Sequence, residues 1–413
     1  MHYSDIQFTL KENIFHSNLE GDFACFALWQ DARPFLEEIR KVLKNRFEIL
    51  LETEMVWSKE YFHSNAQRLY EAPIYLNDNQ EFLQSIHGNK IGGNSFILFI
   101  IKDENPLYTY AQSVSGKIEI TNLNFVDAKY TFRDWIFEKT NKKYGVHSTN
   151  NIYEFFFQVP LLLGVDRFKK LLKSEIIEEV RIEKDLEGAK GWKSYKDLFE
   201  ILNLTCNYLV QRGFETLPES NPEKDIDFLT DNHQRLASAL GAIQNRNQSY
   251  KGKIKVAEEW ISLDMRFVGD KYYDVVWEKN MLDNKIMHNN IYIPREDDYF
   301  FSLLYHAKAQ KSSVKDKYIP ILEQFAKQLK FNWYNSNKLN DNKFIAKALK
   351  GFYKANGYFY EDAIDKGVYK NQEIIETLPS FKIIKPKKLL KIKTRLYPYI
   401  PKSLIKIKKK ILG

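Results

Sequence analysis

Asp225-Ile226-Asp227-Phe228-Leu229 is the stretch of sequence that decides the fold of the second half of the chain. Its apolar residues alternate with two acids, which is the pattern of a strand with one buried face and one polar face. Side chains two residues apart share a face, so the two carboxylates lie on one side, about 6.7 Å apart along the backbone. Unpaired carboxylates so placed repel each other, and a hard cation such as Mg²⁺, which takes oxygen ligands, is a common reason for the placement.

Two flanking segments complete a candidate site around this strand. The preceding strand, Tyr208-Leu209-Val210, is followed by a turn with Arg212-Gly213-Phe214, where glycine allows close backbone approach to a phosphate and the guanidinium is a potential phosphate ligand. The run from Trp260 to Phe267 alternates, so that its apolar residues face one way while Asp264 and Arg266 face the other. Asp264 is therefore a candidate third carboxylate. The plain alternative is that the aspartates only solvate the edge of a strand.

This arrangement resembles the polymerase-beta-like nucleotidyltransferase superfamily over residues 196 to 310. The family has a glycine-containing turn after a first strand, then an Asp-x-Asp strand, and then a third Asp on a later strand. The resemblance implies that Asp225 and Asp227 bind Mg²⁺ or Mn²⁺ and that Asp264 is the catalytic third carboxylate. It also implies that Arg212 and Gly213 contact the nucleotide, although the family usually has Gly-Ser at this turn.

Four segments in the first half follow one another in an order that a second family shares. They are Gly93-Asn94-Ser95-Phe96-Ile97-Leu98, Asn124-Phe125-Val126-Asp127-Ala128-Lys129, Thr131-Phe132-Arg133-Asp134-Trp135 and Gly145-Val146-His147-Ser148-Thr149-Asn150. With them, residues 23 to 164 resemble a diverged nucleoside diphosphate kinase, a ferredoxin-like α/β domain. The resemblance implies that His147 is a phosphorylated, catalytic histidine and that Arg133 binds the nucleotide phosphate. The family's strand-end lysine is missing, because Trp29-Gln30-Asp31-Ala32 stands in its place, and a domain kept only for binding is the alternative.

A third group of candidate phosphate contacts follows the predicted nucleotidyltransferase strands. His306, Lys308 and Lys311 lie on about one face of a predicted helix. They are candidates to meet phosphates, and an ordinary solvated helix face is an equal alternative.

The pattern along the chain predicts an α+β multidomain protein. A ferredoxin-like, kinase-type α/β domain is followed by a mixed sheet with helices and then by a helical C-terminal part. The predicted regions are a kinase-like domain at 20–165, a helical connector at 166–195, a nucleotidyltransferase-like domain at 196–315, a helical subdomain at 316–380 and a basic amphipathic tail at 381–413.

The charge of the chain is concentrated in its tail. Residues 382–413 contain eleven Lys, one Arg and no acid, so the overall net charge of +8 leaves −4 for the preceding residues. A general nucleic-acid surface is therefore disfavoured, and no specific nucleic acid is expected as a partner. Lysines around the apolar residues of the tail suit an anionic membrane surface, while a solvated tail or one docked on the acidic body are alternatives.

These observations favour a Mg²⁺-dependent nucleotidyltransferase that acts on a nucleoside triphosphate and a small phosphorylated acceptor. By analogy, a sugar or alditol phosphate in cell-surface polysaccharide biosynthesis is expected. The alternatives are a catalytically decayed nucleotide-binding scaffold at the membrane and a phosphotransferase that uses His147. With two cysteines and no charged-then-apolar start, we expect a cytoplasmic protein, peripheral on the inner face of the membrane if the tail binds there.

Overall fold

The computed structural model of the chain describes residues 20–75, 93–112, 118–142 and 144–381. Helices and strands are mixed throughout these ranges, so the α+β class predicted from the sequence is confirmed. Within this part of the chain, no helix combines the length and the apolar character that crossing a membrane requires. The predicted membrane-binding tail lies outside the described residues from position 382 onward.

The first sheet has five strands, one of which is buried along its whole length. Its members are β1 (Asp22–Leu28), β2 (Glu48–Val56), β4 (Ser95–Asp103), β7 (Val146–Ser148) and β8 (Arg181–Glu183). They lie in the order β7-β1-β4-β2-β8, antiparallel except for the parallel pair β2 and β8. All seven residues of β1 are buried, which explains why this strand is an unbroken apolar run after its first residue.

Helices cover both faces of the first sheet. They are α1 (Leu36–Arg46), preceded by the 3-10 turn Gln30–Phe35, α2 (Phe62–Leu69), α3 (Leu123–Thr140) and α4 (Ile152–Leu163), and a hairpin of β5 (Tyr108–Gln112) and β6 (Ile118–Asn122) precedes α3. Phe26 belongs to the core cluster formed with α1 and α3. Phe23 belongs to the cluster that includes α4. Alternate residues of β1 therefore pack into two different hydrophobic cores.

The segment 166–195 is only partly the helical connector that its sequence predicts. A helix, α5 (Val165–Leu172), occupies its beginning, but β8 then pairs with β2 as an edge strand of the first sheet. Further on, Trp192 is buried, and its Nε1 donates to the carbonyl oxygen of Leu240. The helical prediction is wrong for this later part. Residues 181–183 pair with the open edge of the first sheet, and this pairing satisfies their backbone hydrogen-bonding groups.

The second sheet carries the predicted Asp-x-Asp strand. Its members are β3 (Ile74–Tyr75), β9 (Tyr208–Arg212), β10 (Asp225–Thr230), β11 (Ile243–Asn245), β12 (Gln248–Val256) and β13 (Glu259–Phe267). They lie in the order β3-β11-β12-β13-β10-β9. The predicted alternation in β13 is confirmed, since Ile261, Leu263 and Met265 are buried while Asp264 remains partly exposed on the other face.

Helices cover the apolar face of the second sheet and extend to the end of the described chain. They are α6 (Tyr195–Thr205), α7 (His233–Leu240), α8 (Val275–Asp283), α9 (Glu296–Lys308), α10 (Tyr318–Gln328), α11 (Asn342–Asn356) and α12 (Gln372–Ile375), and the hairpin β14 (Ile286–His288) and β15 (Ile291–Ile293) precedes α9. Stacked rings of Phe301 and Phe352, with centroids 3.9 Å apart, join α9 to α11. The helical character predicted for residues 316–380 is therefore seen, with turns between short helices.

Two buried arginines hold the first and second halves together. Arg68 of α2 donates to the carbonyl oxygens of Ser238 and Ala239 at 2.8 and 2.9 Å, and to that of Glu187 at 2.6 Å. Arg235 of α7 pairs with Glu71 at 2.6 Å. Because β3 also comes from the first half, the two halves share one sheet and one continuous core.

We expect Arg68→Met to lower the free energy of unfolding by about 3 kcal/mol, because three carbonyl oxygens lose a charged donor inside the protein. Urea unfolding followed by circular dichroism measures the change. Arg181 is exposed and pairs with Glu54 and Glu183, so solvent screens its charge and Arg181→Met should leave the stability nearly unchanged. Equal losses in the two variants would contradict the role given to Arg68.

Candidate functional site

The three predicted carboxylates share one face of the second sheet. Asp227 on β10 is the direct register partner of Asp264 on the parallel strand β13, and of Arg212 on the antiparallel strand β9. Side chains of directly opposed residues point to the same face, and Asp225 lies two residues before Asp227 on that face. The register therefore brings Asp225, Asp227 and Asp264 together beside Arg212.

The turn after β9 leaves open space beside the backbone at Gly213. Gly213 has a φ of +71°, in the left-handed region that favours glycine, and apart from its chain neighbours no atom of the described residues lies within 4 Å of the position that a Cβ would take. The chain can therefore turn immediately after Arg212 while leaving space beside the backbone. This is the open glycine turn that the sequence predicts.

Two of the three carboxylates are engaged by arginines. Arg212 Nε lies 2.8 Å from Asp227 Oδ2, and both side chains are largely buried. Arg266 Nε and Nη2 each lie 2.9 Å from one oxygen of Asp264, although the contact to Oδ1 lacks hydrogen-bond geometry. Asp225 has no ion pair among the described residues. Two arginines thus engage two of the three acids on this face.

Burial and mutual repulsion shift the pKa values of Asp225 and Asp264. Burial, followed by the charge of Asp227, raises the pKa of Asp225 to about 6. Burial also raises the pKa of Asp264, and Asp227 adds to this effect while Arg266 opposes it. The negative charge of Asp227 therefore acts on both Asp225 and Asp264, and a cation placed beside these acids would be stabilised.

The chemistry of this donor set suits a hard divalent ion, but the present side-chain arrangement does not close around one. In the described part of the chain, no group of three or more His, Cys, Asp or Glu side chains is arranged to hold a metal ion. Arg212 engages Oδ2 of Asp227 and Arg266 donates to Oδ2 of Asp264, so part of the negative charge that a metal ion would need is already neutralised.

The end of α9 lies beside Arg212. The three residues predicted there as phosphate contacts, His306, Lys308 and Lys311, have different surroundings. The Nδ1 atom of His306 lies 3.1 Å from the hydroxyl of Tyr272, inside the protein. Burial, followed by the charges of Arg212, Lys311 and Lys315, holds the pKa of His306 well below its usual range. Lys308 instead points away.

Lys308 has a structural role. Its Nζ donates to the carbonyl oxygens of Ser312 at 2.8 Å and Asn340 at 3.4 Å. The prediction that Lys308 meets phosphates is therefore wrong, because the helix ends there and the ammonium satisfies carbonyl groups of the following turns. Lys311 and Lys315 are exposed and remain available to an anion.

A network of buried acids continues behind Arg266. Besides Asp264, Arg266 pairs with Asp365 at 3.1 Å and lies 3.8 Å from Asp270. Burial and the charge of Asp270 raise the pKa of Glu278 to about 9, although Gly269 and Tyr273 donate their backbone N–H groups to it. Sequence reasoning missed this network, whose only local signal is the density of acids between positions 264 and 278.

The second predicted site, around His147, is also assembled. His147 lies in β7, and its Nε2 is 2.8 Å from Gln158 Oε1. The Gln158 amide is oriented by its own donation to the carbonyl oxygen of Leu69 at 3.3 Å, so Oε1 accepts and Nε2 carries the imidazole proton. Burial lowers the pKa of His147 to about 4. The ring is therefore neutral near pH 7, with its lone pair on Nδ1.

Two cations on α3 lie next to this imidazole. Arg133 Nε donates to the carbonyl oxygen of Val146 at 2.9 Å, and the charges of Lys129 and Arg133 both act on His147. Lys129 is buried, which lowers its pKa to about 8, and it donates to Asn150 Oδ1. The sequence predicted Arg133 but missed Lys129, although the two lie one helical turn apart and share a face of α3.

The chain matches no protein-family model, and no curated protein and no solved structure is significantly similar to it. The two family resemblances of the sequence thus remain expectations.

The buried Glu278 makes stability depend on pH. Its folded-state pKa of about 9 exceeds the usual 4.5, so the stability gained from its bound proton is complete at low pH and is lost as the pH rises towards 9. Glu278→Gln cannot titrate. We therefore expect the unfolding free energy of the variant, minus that of wild type, to grow between about pH 5 and pH 9 in urea titrations. A constant difference would show that Glu278 does not hold a proton.

Proposed function

We propose that this protein is a metal-dependent nucleotidyltransferase-like enzyme with its site on the second sheet. The single observation that carries the proposal is the alignment of Asp227 and Asp264 on adjacent parallel strands, with Asp225 on the same face. Three carboxylates on one sheet face, next to an open glycine turn and basic groups, are what transfer of a nucleotidyl group to a hydroxyl requires.

Each side chain has a distinct role in this proposal. Asp225 and Asp227 would hold Mg²⁺ or Mn²⁺, whose chemistry is to neutralise the phosphates and stabilise the leaving oxygen. Asp264, oriented by Arg266, accepts the proton of the attacking acceptor hydroxyl, and its raised pKa suits a base. Arg212 and the open backbone at Gly213 bind the phosphates of the nucleotide.

The topology of the first half supports the other resemblance. Strands β1, β2, β4 and β7 with helices α1 and α3 follow a β-α-β-β-α-β plan, which is the plan expected of the ferredoxin-like domain that the resemblance implies. A phosphorylated sugar or alditol remains the proposed acceptor, by analogy with polysaccharide biosynthesis. Cytoplasmic location, with the tail on an anionic membrane surface, is part of the same proposal.

One observation favours the alternative of a decayed, nucleotide-binding scaffold. The ion pairs of Arg212 with Asp227 and of Arg266 with Asp264 neutralise the acids that a metal ion needs. A scaffold would bind nucleotide without a metal ion and form no product.

A substitution at the acids separates enzyme from scaffold. We expect Asp225→Asn with Asp227→Asn to abolish pyrophosphate release from nucleoside triphosphates and sugar or alditol phosphates, at least a hundredfold below wild type. Pyrophosphate is measured in an enzyme-coupled assay with Mg²⁺, and Asp283→Asn, an exposed aspartate paired with Lys279, is the matched control. Turnover that survives the double substitution would place the chemistry elsewhere, whereas metal-free nucleotide binding by a wild type without turnover would favour the scaffold.

The neutral imidazole, on which the charges of Lys129 and Arg133 act, favours His147 as a second, phosphoryl-accepting centre. Its Nδ1 lone pair would attack the γ-phosphorus of a nucleoside triphosphate, the bond from phosphorus to the bridging oxygen would break, and the diphosphate would leave.

We expect acid-labile label from γ-labelled ATP on the wild type and none on His147→Ala. Gln158→Leu removes the acceptor that fixes the Nε2 proton and should slow labelling without removing the histidine. His63→Ala, at a partly buried histidine of α2, is the control. Equal label on His147→Ala would assign phosphorylation to another residue.

A further inference from the structure

An exposed apolar patch lies where the described part of the chain ends. Val275 and Val276 at the start of α8 are 44% and 51% exposed, and Phe381 is 64% exposed. The ring of Phe381 stacks on that of the half-buried Phe359, with centroids 4.2 Å apart. These four residues are called the apolar patch below. Apolar side chains that are exposed together, unlike isolated ones, mark a surface that binds another apolar phase.

One buried carboxylate joins the two parts of the apolar patch. Asp274 Oδ1 accepts from the backbone N–H groups of Val276 and Trp277 at 2.8 and 3.1 Å. Its Oδ2 accepts from the backbone N–H group of Phe359 at 3.0 Å. The start of α8 and the segment that carries Phe359 are therefore held by the same side chain, and the patch is continuous.

The last described residues are fixed to the body of the protein at this patch. Tyr360 donates its N–H group to the carbonyl oxygen of Pro379 at 2.6 Å, and Tyr360 and Ser380 form a parallel bridge. Residues 382–413, with eleven Lys, one Arg and no acid, follow directly after Phe381. The basic tail is therefore attached to the body at the apolar patch.

The charged side chains that flank the patch along the chain balance one another. Three pairs of opposite charge are formed between Lys271 and Glu361 at 3.0 Å, Lys370 and Asp362 at 2.6 Å, and Lys279 and Asp283. Lys354 and Glu376, which precede Phe359 and Phe381, are also opposite in sign. Glu278 of α8 is buried. The attraction for a charged partner therefore comes from the tail, and the patch adds an apolar contact to it.

The partner that fits must offer negative charge and an apolar interior side by side. An anionic bilayer has both, because its headgroups attract Lys and Arg while apolar side chains such as Phe enter the boundary between headgroups and acyl chains. The order along the chain matches this layering, since the apolar patch and the basic tail adjoin at Phe381.

We propose that the apolar patch is a membrane contact of the folded body, which enters the surface of an anionic bilayer while the tail binds the headgroups. The inference rests on the membrane location in the proposed function and deepens it. It assigns the side of the body that carries the start of α8 and Phe381 to the bilayer.

The test measures binding of the full chain to vesicles that contain equal parts of phosphatidylglycerol and phosphatidylcholine. Val276→Ser with Phe381→Ser changes two exposed side chains and keeps every charge of the tail. We expect this double variant to bind about tenfold more weakly than the wild type in sedimentation, because two apolar side chains no longer leave water on binding.

Val180→Ser with Ile118→Ser is the matched control, since these side chains in the first half are 89% and 75% exposed. It should bind as tightly as the wild type. A similar loss in both double variants would show that the position of the apolar side chains does not matter and would overturn the proposal. If the variant of the patch binds like the wild type, the tail is the sole membrane contact, so the proposed location stands and the inference fails.

A salt series separates the apolar contact from the charge of the tail. Between about 0.05 M and about 0.15 M NaCl both affinities should fall, because salt screens the lysines, while their ratio stays constant. A ratio that approaches one as salt is added would assign the binding to charge alone and overturn the proposal.

Two further outcomes have a clear meaning. If the wild type dimerises, and the double substitution in the patch dissociates the dimer but leaves vesicle binding unchanged, the patch is an interface between copies and the proposal is overturned. The measurement uses no nucleotide. Vesicle binding that behaves as expected would therefore support the membrane contact even if the protein released no pyrophosphate and the nucleotidyltransferase proposal failed.

Discussion

Like charges side by side in a partly buried place need counter-charges, and this constraint organises the second sheet. Asp227 and Asp264 are register partners on adjacent strands, so their repulsion would destabilise the sheet if nothing balanced it. Arg212 and Arg266 supply the balance from the neighbouring strand and from the same strand. The arginines therefore offset part of the repulsion between the two carboxylates.

The arginines also tie the acids to the rest of the molecule. Arg266 contacts Asp365, which lies beyond α11 in the chain, so the last described segments help to position a side chain of β13. Lys251 on β12 lies 3.5 Å from the same carboxylate. A network of this kind holds its members in place only as long as each charge keeps a partner. Displacement of Arg266 by a ligand would thus also weaken contacts outside the site, such as its pair with Asp365.

Helix α4 connects the two candidate sites physically. Gln158 on this helix orients the imidazole of His147, and Tyr153 on the same helix lies under the guanidinium of Arg235, whose carbon is 3.6 Å from the ring centroid. Arg235 belongs to α7, which packs on the second sheet. The halves are therefore not two independent bodies joined by a linker, and the imidazole in the first half is held by a helix that also packs against the second.

The sequence by itself determined the features that depend on neighbours along the chain. The alternation at 225–229 and 260–267 assigned the acids to one face of their strands, because a strand has a period of two wherever it lies. The glycine turn at Gly213 was predictable for the same local reason. Tertiary structure alone decided which residues from distant segments meet: that Arg212 pairs with Asp227, that Lys129 and Gln158 flank His147, and that residues 181–183 form an edge strand. Those contacts follow from strand register and helix packing, which the core sets by excluding water across the whole fold, so no local window of sequence contains them.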